Sequence, residues 1–295
     1  MHWIELNVTL DPNDADAAAN FLIESGSSGI VEDASPDKKR IVLTAYFEKN
    51  DAFSGVQQKI RTYLDGLYAL KDPGVSPPPE VRINRIPDED WNKKWKSFFE
   101  PVKVTGRIVI KPSWRKYRQK ENEIIIELDP GMAFGTGTHP STGMCLQALE
   151  EICPGLARTA APGLLDVGTG SGILAIAGAL LGIPKAIAID IDYQAVQCAI
   201  KNAGRNRVAD RIDFSTRPLK KITGVFPVVL ANILPHILID MKADLCDRLA
   251  PGGYLVLSGI LQTKAAEVTA AFSDRLAVHR KIEKEAWSCL VFQNR

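Results

Sequence analysis

At 295 residues, with 45% hydrophobic and 24% charged side chains, the chain has the composition of a globular protein with room for about two domains at ~150 residues each. That balance excludes disordered, collagen-like and disulfide-stapled classes. The longest apolar stretch, residues 172–183, falls well short of the ~20 residues of a membrane span. The net charge of +1 excludes a strongly basic nucleic-acid binder in total but hides an uneven distribution: −4 over residues 1–87, +4 over 88–123 and +1 over 124–295. No basic stretch followed by an apolar run opens the chain, and the five cysteines show no paired spacing, so the expectation is a cytoplasmic protein with reduced thiols.

In chain order, residues 3–10 alternate in period two through Ile4, Leu6, Val8 and Leu10, predicting a strand before the turn Asp11-Pro12-Asn13. Asp14 is expected to cap a helix bearing Ala17, Ala18, Phe21 and Leu22 and ending near Gly26. Strands are predicted at 29–32 and 41–47, a helix at 54–70, breakers at Asp72-Pro73-Gly74 and Pro77-Pro78-Pro79, and a strand at 81–86. The order βαββαβ predicts a ferredoxin-like α/β sandwich over residues 1–87, a fold that hosts many roles and settles no chemistry.

Residues 88–112 read as a linker with a short helix carrying Trp91, Trp95 and Phe98, followed by a strand at 107–111. The run Lys111-Pro112-Ser113-Trp114-Arg115-Lys116-Tyr117-Arg118-Gln119-Lys120 interleaves cations with aromatics. It fits either a solvated hairpin tip or a contact to RNA phosphates and bases.

From 113 to the end the pattern is that of one larger domain. Apolar strands at 164–167, 186–190, 212–214, 228–231 and 254–258 alternate with helices at 173–181, 194–202 and 237–249, and a hairpin at 277–292 closes the chain. Fully apolar strands between amphipathic helices predict a doubly wound α/β sheet, whose ligands bind beyond the strands' carboxyl ends.

The first of these strands runs through Asp166 and Val167 into Gly168-Thr169-Gly170-Ser171-Gly172, directly before a helix. Such a turn lets a ligand approach the backbone at a helix N-terminus. Asp190 ends the next strand, 22 residues on, where a carboxylate can accept both hydroxyls of a ribose; alternatively Asp190 or Asp192 merely caps the following helix. A dinucleotide fingerprint needs glycine where Ile173 stands. The pattern Asp-x-Gly-x-Gly-x-Gly with a closing hairpin instead looks like the seven-stranded fold of S-adenosylmethionine-dependent methyltransferases. A nicotinamide-dependent oxidoreductase is the rival enzyme class, but no strand-end His or Lys offers to polarise a hydride acceptor. A non-catalytic cofactor-binding protein is the other rival.

The fourth strand ends Ala231-Asn232-Ile233-Leu234-Pro235. Its Asn side-chain carbonyl can accept an N–H from an incoming amine and aim the nitrogen lone pair at a methyl donor, or it can form an Asx turn or helix cap. The aromatic that usually closes this motif in amino-group methyltransferases is missing. Upstream lies Leu128-Asp129-Pro130-Gly131-Met132-Ala133-Phe134-Gly135-Thr136-Gly137-Thr138-His139-Pro140-Ser141-Thr142.

Together with 166–176, 189–192, 231–234 and 251–261, that segment closely resembles the bacterial ribosomal protein L11 methyltransferase family, and the likeness extends through the Trp-rich linker and the N-terminal sandwich. The resemblance implies a small N-terminal domain that grips the ribosomal protein, and transfer from S-adenosyl-L-methionine, leaving S-adenosyl-L-homocysteine, to its N-terminal α-amine and lysine side chains. A relative of the same fold acting on lysines of a different protein is the alternative within the class. Cofactor contacts carried over from the family fall on Thr142, Gly168, Asp190 and Asn232; the glycine turn adds Gly170, and the candidate catalytic residues are Asn232, Phe134 and His139. Phe134 and His139 belong to a loop that would cover the methionine end of the cofactor, and His139 is a candidate proton relay or a structural hydrogen-bonder. No metal is expected, and a monomer without membrane contact is. Two departures stand out: Thr169 replaces the usual Cys, and Pro235-His236 replaces the usual Ala-Gly.

Overall fold

The computed structural model describes residues 2–27, 29–34, 40–48, 53–69, 77–87, 99–129, 139–156 and 163–294. The predicted turn at 72–74, the linker helix with Trp91, Trp95 and Phe98, and Phe134 lie outside the described residues. The chain divides into two compact units, Met1–Phe99 and Glu100–Arg295.

The first unit contains β1 (His2–Leu10), α1 (Ala15–Glu24), β2 (Ile30–Ala34), β3 (Ile41–Glu48), α2 (Phe53–Ala69) and β4 (Glu80–Pro87). Its four strands are antiparallel in the order β2-β3-β1-β4, the topology of a ferredoxin-like sandwich. Period-two alternation sends Leu6, Val8 and Leu43 into one core with Leu22, Ile60 and Leu64 of the helices. Glu5 and Asn7 alternate with these core residues in β1, and Glu5 accepts from Asn7 and Asn84 (3.1 Å each). The capping carboxylate is that of Asp11, which accepts from Asn13 N at 2.9 Å and starts a 3-10 turn; Asp14 precedes α1 without capping it.

The second unit opens with β5 (Val102–Lys103), β6 (Ile108–Lys111) and β7 (Ile124–Glu127), which form a three-stranded sheet. Residues 102–111, expected in a linker, therefore belong to the larger unit. Ile108 and Ile126 are fully buried in the core that also holds Leu149 and Ile176, so a boundary after 112 would cut through packed apolar surface. Next come α3 (Pro140–Ile152), β8 (Leu164–Val167), α4 (Ile173–Leu180), β9 (Ala186–Ile189), α5 (Tyr193–Arg205), β10 (Ile212–Ser215) and β11 (Phe226–Asn232). The helix predicted at 237–249 is two short ones, α6 (Pro235–Asp240) and α7 (Lys242–Asp247), because Met241 turns the chain at ψ 3°. β12 (Leu249–Leu261), α8 (Gln262–Phe272), β13 (Ala277–Lys284) and β14 (Trp287–Gln293) complete the unit.

Seven strands form one sheet in the order β10-β9-β8-β11-β12-β14-β13. Its first five are parallel, and the closing hairpin inserts β14 antiparallel to β12. Two apolar clusters, one holding Leu164 and Leu230 and the other Leu165 and Val229, cover its opposite faces. Chain order reverses between β8 and β11, which opens a crevice beyond their carboxyl ends.

Candidate active site

The glycine turn leaves β8 at this reversal point. Gly168, Gly170 and Gly172 take left-handed φ of 74°, 53° and 82°, a region where a Cβ is unfavourable. Two of them also stand where a side chain does not fit. A Cβ at Gly168 would lie 2.6 Å from Ile233 Cγ2, and one at Gly172 would lie 2.9 Å from Ala199 Cβ of α5. Gly172 thus does the close helix-packing work that a dinucleotide fingerprint assigns to a later glycine.

Beneath the turn, Asp166 is fully buried and its Oδ2 accepts from Thr169 Oγ1 at 2.6 Å. Thr169 is therefore more than a tolerated replacement for Cys, since its hydroxyl fastens the turn to the strand. Burial pushes the Asp166 carboxyl up to about 6, against the lowering effect of the Thr169 bond. An acid whose folded pKa exceeds its unfolded value binds more protons when folded, so this group's contribution to stability falls as pH rises from about 4 to about 6. The loss amounts to about 3 kcal/mol. Asp166→Asn keeps an acceptor for Thr169, and its Tm relative to the parent is expected to improve between pH 4 and pH 7 in parallel melts. Identical pH slopes in the two proteins would contradict the assignment.

The two strand-end acids have separate jobs. Asp192 caps α5, its Oδ1 accepting from Gln194 N at 2.8 Å. Asp190 does not cap a helix. Its Oδ2 accepts from Gly170 N (2.9 Å) and its Oδ1 from Asp192 N (3.0 Å), so the carboxylate is held against the glycine turn. Each carboxylate oxygen keeps a further lone-pair site.

Asn232 ends β11 across the crevice. It neither caps α6, whose N-cap is Leu234, nor closes an Asx turn. Its Nδ2 donates to Thr142 Oγ1 of α3 at 3.3 Å, while its Oδ1 is buried without any hydrogen-bond partner. A buried carbonyl left unpaired costs about 1–3 kcal/mol, and this oxygen is available to accept a further N–H. Ser258 lies opposite Asn232 in the β11–β12 register, and its hydroxyl donates to Ser141 O at 3.1 Å. At Gly259 (φ 79°) the β12–β14 pairing is irregular, and a Cβ there would lie 3.2 Å from Asn232 Oδ1 and 2.7 Å from Ile233 O. Reasoning from sequence gave Ser258 and Gly259 no role; the available signal was a glycine within a strand, which marks a bulge or a close approach.

His139 is the N-cap of α3. Its Nδ1 accepts from Ser141 N at 3.2 Å and lies 2.7 Å from Ser141 Oγ, and its ring meets Trp287 edge-on at 4.7 Å. The structure thus brings Thr142, Gly168, Gly170, Asp190 and Asn232 around one crevice, with His139 at its α3 border. The fully buried Thr142 is bonded to Asn232, and Gly168 abuts the residue that follows it. Among the described residues no group of three or more His, Cys, Asp or Glu side chains is placed to hold a metal, and no helix is long and apolar enough to cross a membrane.

Sheets of this strand order, closed by a hairpin and carrying a glycine turn and an acid on successive strand ends, define the class of S-adenosylmethionine-dependent methyltransferases, and this chain has that fold. A family profile described as "Ribosomal protein L11 methyltransferase (PrmA)" matches residues 2–295. A ribosomal protein L11 methyltransferase of Citrifermentans bemidjiense is 40% identical over 302 residues, covering 99% of this chain and 98% of the relative. One from Geobacter sulfurreducens is 39% identical over 304 residues with the same coverage. The crystal structure of a ribosomal protein L11 methylase from Lactobacillus delbrueckii subsp. bulgaricus superposes with a TM-score of 0.60 at 29% identity, over 67% of this chain and all of that one. The chain belongs to the ribosomal protein L11 methyltransferase family.

Proposed function

We propose that this protein methylates amino groups of ribosomal protein L11, namely the N-terminal α-amine and lysine side chains, and works in the cytoplasm where that protein is made. The observation that carries the amine chemistry is the buried, unpartnered Asn232 Oδ1 at the reversal point of the sheet. The family relatives, named for ribosomal protein L11, support the substrate.

When bound, S-adenosylmethionine supplies a methyl group already activated by its sulfonium. The residues present fit it. Asp190 would accept its ribose hydroxyls, Gly168 and Gly170 would let it approach the backbone, and Thr142 and Asn232 would face its methionine end. What remains for the protein is to place a neutral nitrogen in line. A lysine titrates near ~10.4 and an α-amine near ~7.7–8.0, so the substrate must first lose a proton, which a dry pocket favours. Asn232 Oδ1 accepts the amine's remaining N–H and thereby aims its lone pair. Thr142 Oγ1, by taking Nδ2, fixes which end of the carboxamide faces the amine. Because His139 Nδ1 is committed to the start of α3, the departing proton is assigned to solvent rather than to that ring. The N-terminal unit, at −4 over residues 1–87, has the charge to recruit a basic ribosomal protein.

The test is to incubate the protein with labelled S-adenosylmethionine and purified ribosomal protein L11 and to map the label by mass spectrometry. Label is expected on the α-amine and on lysines. Deleting residues 1–99 is expected to cut that labelling by about a hundredfold or more while S-adenosylmethionine still binds. Labelling of another protein in a cell extract, with ribosomal protein L11 unmodified, would overturn the reading.

A further inference from the structure

The basic run at 111–120 has no part in methyl transfer, yet it is built rather than loose. Glu123, 7% exposed, anchors it. Its Oε2 accepts from Tyr117 Oη (3.0 Å) and Lys120 N (2.9 Å), and its Oε1 from Lys103 Nζ (3.4 Å). Its backbone carbonyl accepts from Gln119 Nε2 at 2.6 Å. At the other end, Ser113 donates through N and Oγ to the two oxygens of Asp129, at 2.7 and 2.9 Å. Of the aromatics that interleave the cations, Tyr117 is tied to Glu123 and so anchors the run, and Trp114 is half-buried.

The cations fall into two sets. Lys111 pairs with Glu127 and Arg115 with Glu100, both at 2.6 Å. Lys116, Arg118 and Lys120 are exposed and have no acidic partner among the described residues, and Arg107, also exposed, donates through Nε to Asn122 O. Glu121 is the one exposed acid within the run's turn. The three unpaired cations recur every second residue in a segment with neither helix nor turn, which spaces them by at most about 7 Å. That is of the order of the step between successive phosphates along one nucleic-acid strand.

We propose that Lys116, Arg118 and Lys120 form a phosphate-contacting loop that engages the backbone of RNA next to the substrate protein, independently of base sequence. A basic loop repels a basic ribosomal protein, so it does not serve that protein directly, whereas the RNA that such a protein binds has the complementary charge. A lipid surface fits less well, because no large apolar side chain is exposed between residues 112 and 121 to insert beside the charges. The choice of RNA as the polyanion rests on the ribosomal-protein substrate proposed above.

The experiment measures binding of the full chain to a fluorescent RNA stem-loop, with and without Lys116→Gln, Arg118→Gln and Lys120→Gln combined. Three phosphate contacts predict affinity about 20- to 40-fold weaker at 200 mM than at 50 mM salt. The triple variant is expected to bind at least about tenfold more weakly and to lose most of that salt dependence, with melting and methylation of free ribosomal protein L11 unchanged. Equal RNA affinity in parent and variant would overturn the proposal. So would binding to phosphatidylglycerol vesicles but not to RNA, or loss of methylation of the free protein by the triple variant. Failure of the parent to methylate the free protein would instead count against the function proposed above, and is read in a separate assay.

Discussion

Replacing Asn232 with Ala is expected to lower kcat by about 10²–10³-fold while changing the Kd for S-adenosylmethionine by no more than a few-fold. The magnitude is that of one positioned, water-excluded hydrogen bond to a group that develops charge in the transition state. The native carboxamide is held at one end only, by Thr142 Oγ1, and its buried Oδ1 has no internal partner to lose. Removing it takes one 3.3 Å donor from the buried Thr142 Oγ1 but strips no donor of its acceptor at Oδ1, so the larger loss falls on turnover. Asn232→Asp keeps an acceptor but adds a charge beside the cationic product, so its rate is expected to depend more steeply on pH than the parent's. Stopped-flow turnover and calorimetric titration of the cofactor on the same preparations give the two numbers. Equal losses in both would mean that Asn232 holds the crevice together instead of orienting the amine.

Replacing Asp190 with Ala is expected to weaken S-adenosylmethionine binding by at least about 100-fold, since two hydrogen bonds to a charged acceptor contribute roughly 1.5–3 kcal/mol each. The matched control is Asp192→Ala. Two residues away, that change removes a helix cap and about 1 kcal/mol of stability, with affinity preserved within a few-fold. Calorimetry on both variants separates the roles. Unchanged affinity in the Asp190 variant would remove the ribose assignment, and equal losses in both would assign the effect to a loosened turn.

How far the sequence went depended on the range over which each feature is decided. The period-two run through Ile4, Leu6, Val8 and Leu10 and the alternation of apolar strands with helices after 164 are local patterns, and both units have the predicted topology. The glycine turn and Asn232 were legible because chemistry at a strand end needs particular residue types close together in sequence. The strand at 108–111 reads as part of a linker in the sequence because its pairing with β7 and its burial with residues of α3 and α4 are long-range. The hydrogen bond between Thr142 and Asn232 spans 90 residues and leaves no trace in either neighbourhood. Asp11 and Asp14 are both plausible caps by type, and only the backbone decides between them: Asp11 is extended, at ψ 138°, and Asp14 is not. The two readings of Asp190 and Asp192, left open by spacing, separate once each carboxylate's donors are known.

The contact of Gly168 with Ile233 has a consequence for how such an enzyme could diversify. The turn that would hold the cofactor and the strand end that would hold the amine press against each other with no side chain's width between them. A mutation that reshapes one displaces the other, so selection cannot tune methyl donor and acceptor independently through these residues. The catalytic end of the sheet is inherited as one indivisible part, so a change of protein target under the function proposed above falls to residues outside it.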